Sequence, residues 1–336
     1  MRFFLESTST EIQTMTERIT ALALLRLSFV FTLTALLAMV TISCAASHHP
    51  SGVGQLGTPA SSDAMYAVLE VPGPIVFEKV LAANWMVVRS GMINLDHPAA
   101  VAAELTDGDE PIEVYFYVLR HPKFGTYIVD SGVEQGFRDE ASSERLSWLI
   151  KKAMKMDQVK VRKTTGEWLA EESEPLAGVL ITHLHLDHIM GLPDVPTGTP
   201  IFTGPGETTS SQFLNLFTSG TTDRMLADVG NLREWPFEAD PANRFAGVLD
   251  VFGDGSLWAL HVPGHTPGST AFVVRTPEGT RLLVGDATHT KWGWENGVEP
   301  GSFSSDPAQS AVSLKTLLDL AERFPQLDVH PGHQSL

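Results

Sequence analysis

The chain has 336 residues, 43% of them hydrophobic, which is enough to bury a sizeable core in one large domain or two small ones. Its formal net charge is −17, and all of it belongs to residues 45–336 because the Arg and Glu residues of the first 44 positions balance. Such an acidic surface repels phosphate backbones, which argues against a nuclease or another nucleic-acid binder. The single cysteine, Cys44, leaves the rest of the chain without a disulfide or a thiolate metal ligand.

Residues 1–44 have the pattern of an export signal. Arg18 and Arg26 precede an uncharged and mostly apolar run over residues 27–43, as the basic and apolar regions of a signal peptide do. A start at Met15 instead of the first residue would give a leader of more ordinary length. The pattern predicts that the remainder of the chain lies outside the cytoplasm, in the cell envelope.

The end of this apolar run resembles a bacterial lipoprotein cleavage site. A small residue, Ser43, precedes Cys44, which would become the lipidated N-terminus and attach the protein to a membrane. Two alternatives remain open: ordinary cleavage near Ala45 or Ala46, and an uncleaved anchor, since the run approaches the length of a membrane span.

A flexible tether is predicted over residues 45–64, which are rich in Ser, Gly and Pro. His48 and His49 lie in this segment, and we interpret them as solvated linker residues in preference to metal ligands. We expect the folded domain to occupy residues 65–336.

The first half of this domain combines strands with single helices. A β-branched and aromatic run predicts a strand, and a Pro-Lys-Phe-Gly turn leads into a second strand that ends at Asp130. Apolar residues at helical spacing predict a helix, and an apolar run of six residues predicts a buried strand. In chain order these elements are strands 112–119 and 126–129, helix 141–156, a short helix around Trp168 and Leu169, and strand 177–182.

The second half repeats this alternation. Asp306 is expected to cap a helix that has Pro307 at its first position and ends near Arg323. Strands in groups, separated by single helices, predict two sheets with helices outside them. The predicted strands are 257–262, the hairpin pair 270–275 and 281–284, and 327–329.

A dense group of metal-capable side chains follows the strand 177–182. Side chains alternate along a strand, so His183 and His185 are expected on one side, while Asp187 and His188 fall in the turn beyond. One short segment can therefore serve two neighbouring metal sites. The alternative is a His-rich surface loop.

Three isolated residues, His265, Asp286 and His333, occupy equivalent places further along the chain. Each lies where an apolar strand gives way to a loop, where a rigid sheet can hold side chains at one rim. Each alone would be unremarkable. With the group above they make a set of five His and two Asp, which suits two zinc ions because zinc accepts both imidazole and carboxylate ligands.

These motifs together resemble those of the metallo-β-lactamase superfamily. They are His-x-His-x-Asp-His at 183–188, Gly-His-Thr-Pro-Gly at 264–268, Gly-Asp at 285–286 and Pro-Gly-His at 331–333, in that order. Val-Asp-Ser-Gly at 129–132 resembles the first motif of the same superfamily. The similarity covers about residues 70–336 and implies an α+β fold, an αββα sandwich with two metal ions at the rim between the sheets.

The resemblance also implies a role for each motif residue. Asp130 would lie behind the metals and orient a ligand histidine. His261 and His330 flank the motifs but match no ligand position, so we expect packed or surface side chains. One Zn²⁺ would be bound by His183, His185 and His265, and the other by Asp187, His188 and His333, with Asp286 bridging the two.

Within the superfamily, two residues narrow the choice. His185 stands where flavodiiron oxygen reductases carry Glu, which favours zinc hydrolysis over redox chemistry, although other divalent metals remain open. Asp286 stands where zinc β-lactamases generally carry Cys or Ser. The segments 91–97 and 286–291 resemble active-site segments of the N-acyl-homoserine lactonases. Those enzymes commonly carry Tyr where this chain has His289.

The implied reaction is hydrolysis of a small-molecule lactone or ester by a metal-bridging hydroxide. Asp187 would move the proton, and His289 would either donate a hydrogen bond to the substrate carbonyl or simply line the loop. Two alternatives are another hydrolase of the superfamily, acting on a sulfate ester, thioester or β-lactam, and a tethered binding protein that uses its metals only to hold a ligand. An apolar wall for an acyl chain, or ordinary loop packing, is expected of Met92, Leu95, Trp292 and Trp294.

Overall fold

The structure, a computed structural model, describes Arg26 and residues 45–138, 144–212 and 215–336. The predicted signal sequence, including Cys44, therefore lies outside the described residues apart from Arg26, as does the start of the helix predicted over 141–156. Within the described ranges, no helix is both long and apolar enough to cross a membrane.

The described strands form two sheets. In chain order they are β1 (Ser51–Val53), β2 (Thr58–Pro59), β3 (Val76–Val88), β4 (Asp109–His121), β5 (Gly125–Val129), β6 (Lys160–Val161), β7 (Leu176–Leu180), β8 (Ile201–Thr203), β9 (Leu232–Glu234), β10 (Gly247–Asp250), β11 (Leu257–His261), β12 (Thr270–Thr276), β13 (Gly279–Gly285) and β14 (Asp328–Pro331).

Most of the described helices are short. They are α1 (Ser62–Tyr66), α2 (Arg89–Met92), α3 (Pro98–Ala102), α4 (Trp148–Ala153), α5 (Thr165–Glu171), α6 (Leu186–Ile189), α7 (Asn215–Met225), α8 (Lys291–Asn296) and α9 (Pro307–Arg323), with 3₁₀ turns at Gln135–Phe137, Met156–Gln158 and Leu192–Asp194.

The first sheet has eight strands in the order β1-β9-β8-β7-β5-β4-β3-β6. Its centre is the long antiparallel pair of β3 and β4, with β5 antiparallel to β4. From β5 outward through β7, β8, β9 and β1 the pairing is parallel. The carboxyl ends of β5 and β7 therefore meet at one edge of the sheet, where Asp130 and the histidine group follow.

The second sheet has six strands in the order β14-β13-β12-β11-β10-β2. The strands from β2 to β13 pair antiparallel, and β14 is parallel to β13. The predicted hairpin of β12 and β13 is confirmed, and each of its strands is slightly longer than predicted.

Three buried layers separate the sheets and helices. On β4, Tyr115 and Tyr117 face the other sheet, while Phe116 faces the outer helices, as the two-residue alternation of a strand requires. Phe272 on β12 belongs to the same layer between the sheets as the two tyrosines. Leu317 of α9 packs on the outer face of the second sheet. The predicted αββα sandwich is confirmed.

Helix α9 agrees closely with its prediction. The Asp306 side chain accepts a hydrogen bond from the backbone N–H of Gln309, and Pro307 occupies the first turn. The helix predicted over 141–156 is shorter than expected within the described residues. Ser147 caps it at one end, and Lys155 adopts a left-handed conformation with φ 51° just past the other end.

The prediction of a flexible tether over residues 45–64 is wrong. Strand β1 pairs with β9, and β2 pairs with β10, so this segment adds one strand to the edge of each sheet. Open sheet edges offer unpaired backbone groups, and a short polar segment can satisfy them. His48 contacts Asp223 at 2.9 Å, and His49 Nε2 lies 2.9 Å from the Gly230 carbonyl oxygen. Residues 45–64 therefore belong to the folded domain.

Candidate metal centre

The predicted ligands converge at one rim of the sandwich because each follows the end of a strand. Asp130 follows β5, His183 follows β7 and Asp286 directly follows β13. His265 lies four residues beyond β11, and His333 two residues beyond β14. These five side chains are buried, each with an exposed fraction of 4% or less.

Two groups of ligand atoms form at this rim, and Asp286 belongs to both. In each group the candidate ligand atoms all lie within 4.8 Å of one another. The structure thus brings together every metal ligand predicted from the sequence, in the two sets that the motifs imply. One group contains His183, His185, His265 and Asp286, and the other contains Asp187, His188, His333 and Asp286.

The Asp286 carboxylate lies between the imidazoles. Its Oδ2 atom is 3.5 Å from His183 Nε2 and from His265 Nε2, and 3.3 Å from His188 Nε2. Its Oδ1 atom is 3.4 Å from His333 Nε2. Oδ2 therefore faces two histidines of the first group and His188 of the second, and Oδ1 faces His333 of the second, so the carboxylate lies between the two groups as a bridging ligand must.

The donor set fits divalent cations such as zinc. His183 Nε2 and Asp286 Oδ1 are buried and have no hydrogen-bond partner among the described residues. A buried polar atom left unpaired costs about 1–3 kcal/mol, so its presence calls for a ligand. Imidazole and carboxylate donors suit zinc, and a shared carboxylate suits a pair of ions.

The histidines of the two groups differ in their electrostatic environment. Burial lowers the pKa of His183 and of His265 well below the usual range, and neighbouring histidines add to the effect. Burial also lowers the pKa of His185 to about 4. For His188 and His333 burial acts in the same direction, but nearby carboxylates outweigh it. They raise the pKa of His188, and they raise that of His333 to about 10.

Both carboxylates are held in the ionised form. Burial would raise the pKa of Asp286, but the imidazoles of His289 and His333 outweigh burial and lower it well below the usual range. His188 and the hydrogen bond from His333 lower the pKa of Asp187 in the same way. Ionised carboxylates and neutral imidazoles are the forms that bind a divalent cation, so an ion in the second group would displace a proton from His188 and from His333.

Asp130 fixes the orientation of His188, as the sequence motif predicts. Its Oδ2 atom lies 2.8 Å from His188 Nδ1, and its Oδ1 atom accepts a 2.8 Å hydrogen bond from the Thr182 backbone N–H. Because His188 Nδ1–H donates to this carboxylate, His188 Nε2, which faces Asp286, is the nitrogen that could bind a metal ion. Asp130 has φ 59°, a strained conformation that Asp tolerates better than most residues.

The segment that carries Asp187 and His188 is helical, whereas the sequence predicts a turn there. Both residues lie in the short helix α6, and the His188 backbone N–H donates to the His185 carbonyl at 3.1 Å. This turn brings Asp187 beside His333, while the His188 ring lies between those of His183 and His333, with centroids 4.1 and 5.2 Å away. Asp187 Oδ2 lies 3.2 Å from His333 Nε2.

Glu207 supports the site, although no sequence motif marks it. Its buried carboxylate accepts a 2.8 Å hydrogen bond from the Leu184 backbone N–H and a 2.7 Å hydrogen bond from that of Gly268. It therefore joins the segment between His183 and His185 to the loop that carries His265. The loop residues Gly204 to Glu207 show no sequence pattern that would mark this carboxylate as part of the site.

His289 is buried beside both metal groups. Its Nδ1 atom lies 3.1 Å from the Met92 carbonyl oxygen, and its Nε2 atom lies 3.0 Å from Asp286 Oδ2. A carbonyl oxygen only accepts, so Nδ1–H is the donor, and Nε2 of the neutral ring carries a lone pair. Nε2 is therefore the nitrogen available at the centre, and the role of His289 as a hydrogen-bond donor to the substrate stays a prediction.

The four residues anticipated as an apolar wall for an acyl chain pack in two different hydrophobic cores. Met92 is buried in the outer core of the first sheet, and Leu95 and Trp292 pack against that same core. Trp294 instead packs against the outer core of the second sheet. These contacts favour the packing alternative.

His261 and His330 are packed side chains, as expected. His261 stacks on Phe237, and His330 lies against Phe77 and Tyr117.

This chain belongs to the metallo-beta-lactamase superfamily. The sequence model of that family matches residues 109–333, which include every ligand described above. The fold and the paired ligand groups agree with this membership.

Its relatives include N-acyl homoserine lactonases. The N-acyl homoserine lactonase AttM of Azorhizobium caulinodans is 31% identical over 220 residues, covering 63% of this chain and 79% of that protein. An N-acyl homoserine lactonase from a Bacillus species is 28% identical over 233 residues, covering 67% and 84%.

Solved structures share the fold. A quorum-quenching N-acyl homoserine lactone lactonase superposes with a TM-score of 0.51 at 19% identity, covering 79% of this chain and 93% of that one. A probable metal-dependent hydrolase from Staphylococcus aureus gives a TM-score of 0.57 at 16% identity, covering 78% and 90%.

Proposed function

We propose that this protein is a dinuclear metal-dependent hydrolase that opens the ring of a lactone, with N-acyl homoserine lactones as the first substrates to test. The observation that carries this proposal is the pair of ligand groups sharing one carboxylate, Asp286. The names of the curated relatives supply the substrate class.

Each group of ligands would hold one divalent ion, with zinc as the first candidate. Bound there, the two ions would lower the pKa of water toward about 7 and polarise a carbonyl group. We further propose that His289 Nε2 is an additional ligand, because it faces Asp286 Oδ2 at 3.0 Å and is the lone-pair nitrogen of the neutral ring.

Asp187 is the proposed proton carrier. Its side chain is 20% exposed, whereas that of Asp286 is 2% exposed, so Asp187 lies on the open side of the centre. In its ionised form the Asp187 carboxylate can accept a proton at Oδ2. From that atom the proton can pass to the alkoxide that leaves when the ring opens.

The test is a hydrolysis screen on the full chain as matured in the producing cell, reconstituted with zinc. N-acyl homoserine lactones, an aryl ester, a thioester, a sulfate ester and a β-lactam are compared, with the His183→Ala/Asp187→Ala double variant as control. We expect lactone opening well above that of the control. Turnover of another substrate in the panel without lactone opening would assign a different hydrolase activity.

The same screen distinguishes catalysis from binding alone. If the metal-loaded protein binds a lactone but hydrolyses it no faster than the double variant does, the protein is a binding protein and the proposal fails.

We also propose that the protein is exported and held at a membrane through Cys44. The support is the basic and apolar pattern of residues 1–44 and the small residue before Cys44. Fractionation of the producing cells, with mass spectrometry of the mature N-terminus, tests this. A mature protein that retains residues 1–44 in the cytosolic fraction would contradict it.

A further inference from the structure

The chain immediately after Cys44 is docked on the folded domain. Ala45 forms an antiparallel bridge with Ser211, and the Ala46 backbone N–H donates to the Ser210 carbonyl at 2.8 Å. The Ser47 backbone N–H donates to the Thr208 carbonyl at 3.1 Å. The first described residues of the domain therefore run along the segment from Thr208 to Ser211.

Helix α7 secures this segment through one carboxylate. Asp223 Oδ1 accepts hydrogen bonds from the Ser47 hydroxyl at 2.6 Å and from the His48 backbone N–H at 2.7 Å. Asp223 Oδ2 lies 2.9 Å from His48 Nδ1. Residues 45–48 are thereby attached to two neighbouring parts of the domain.

This attachment leaves little slack between Cys44 and the domain. One residue spans at most about 3.6 Å, whereas a free segment of twenty residues would reach tens of ångströms. A lipid on Cys44, or an uncleaved span over residues 27–43, would therefore hold the bilayer against the domain at Ser211.

Exposed apolar side chains lie close to this point in the chain. Leu216 and Phe217, in the first turn of α7, are 39% and 52% exposed. They follow Ser211 by five and six residues. Exposed aromatic and aliphatic side chains of this kind insert into the boundary between headgroups and acyl chains of a membrane.

We propose that the first turn of α7, with Leu216 and Phe217, is a membrane-contacting face that lies on the phospholipid surface to which Cys44 is attached. This inference rests on the proposed export and membrane attachment but not on the proposed hydrolase activity.

The face is linked to the metal centre by one short loop. Glu207, which accepts hydrogen bonds from Leu184 and Gly268 beside the ligands, directly precedes Thr208, which accepts one from Ser47. The segment docked beside the face is therefore joined to a residue that supports the metal centre.

A single label tests the position of the face. Cys44 is the only cysteine, and lipidation consumes its thiol, so a cysteine introduced at Phe217→Cys is the one thiol left for an environment-sensitive fluorophore. The full lipidated chain is placed in vesicles of equal parts phosphatidylethanolamine and phosphatidylglycerol that contain nitroxide-labelled lipid. Val312→Cys is the matched control, because Val312 is 59% exposed on α9, on the outer side of the other sheet.

We expect blue-shifted emission and several-fold stronger quenching at position 217 than at position 312. Equal, water-like emission at both positions on vesicle-bound protein would overturn the proposal, since the domain would then stand away from the membrane. A mature chain without lipid or span, which does not bind the vesicles, would overturn it too. If Phe217→Cys fails to fold, Leu216→Cys carries the same test.

Discussion

His289 donates its Nδ1–H to the carbonyl oxygen of Met92 over 3.1 Å, and this bond decides what the other side of the ring can do. With Nδ1 protonated, Nε2 of the neutral ring offers a lone pair, and it points at Asp286 Oδ2 over 3.0 Å. Helix α2, which ends at Met92, is thereby coupled to the metal centre through one imidazole.

The first prediction concerns His289→Asn. The Asn side-chain N–H₂ can replace Nδ1–H as donor to the Met92 carbonyl, but the variant has no atom at the Nε2 position. We expect metal affinity to fall by about 10-fold or more, as for other residues that support a metal site. Competition with a chromogenic chelator measures it. His261→Asn, which removes a histidine outside both metal groups, is the control. Unchanged metal affinity in His289→Asn would exclude the ligand role of His289 and leave only its role as a hydrogen-bond donor.

The second prediction concerns Asp130→Asn. An amide at this position removes the negative charge that holds His188 Nδ1–H, so His188 is no longer fixed with Nε2 toward Asp286. We expect the affinity for the second ion to fall by about 10- to 100-fold, with the first ion retained. Metal content after dialysis against a graded series of free zinc concentrations is the measurement.

The control for this variant is Asp254→Asn. Asp254 also pairs with a histidine, His121, at 3.0 Å, but the pair belongs to neither metal group. Equal metal content in both variants would show that Asp130 does not orient a ligand.

The third prediction concerns Asp187→Asn. The amide is unable to accept a proton, so kcat for lactone opening is expected to fall by about 10²- to 10⁴-fold at saturating zinc. Measuring at saturating zinc separates this loss from weaker binding of the second ion. A variant that keeps the kcat of the parent protein once fully loaded would exclude Asp187 as the proton carrier.

The fourth prediction concerns Glu207→Gln. The amide can accept from only one of the two backbone N–H groups that Glu207 now satisfies, so one buried donor is left facing an N–H₂ group. We expect a loss of about 1–3 kcal/mol in the free energy of unfolding, measured by urea denaturation. Glu238→Gln, at a residue on the surface, is the control. Equal stability of the two variants would remove Glu207 from its supporting role.

The fifth prediction concerns Gly332→Ala. A Cβ atom at this position would lie 2.1 Å from Asp286 Oδ1, so the bridging carboxylate would have to move. We expect loss of at least one bound metal ion, measured by elemental analysis. Gly108→Ala is the matched control, because a Cβ atom there has no neighbour within 4 Å. Full metal content in Gly332→Ala would contradict the bridging position of Asp286.

The ligands were predictable because they follow strands that are recognisable from the residues of those strands alone. The six-residue apolar run before His183 and the hairpin before Asp286 both indicate strands, and strand ends gather at the rim of a sheet. Glu207 was not predictable, since it acts through backbone N–H groups that no side-chain pattern marks. The strands β1 and β2 were missed for a related reason: their short polar sequences pair with sheet edges that only the folded domain provides.

The ring orientation of His289 was beyond the sequence as well. Its tautomer depends on the Met92 carbonyl, which is 197 positions away in the chain. The resemblance to the lactonases marked the position, but not which nitrogen faces Asp286.

The most direct test of the dinuclear lactonase is a metal titration of the purified full chain, followed by assay of N-acyl homoserine lactone opening at each step. We expect activity to reach its maximum at two zinc ions per chain, to disappear with a chelator and to return when zinc is restored. Full activity at a single bound ion, or no lactone opening at two, would contradict it.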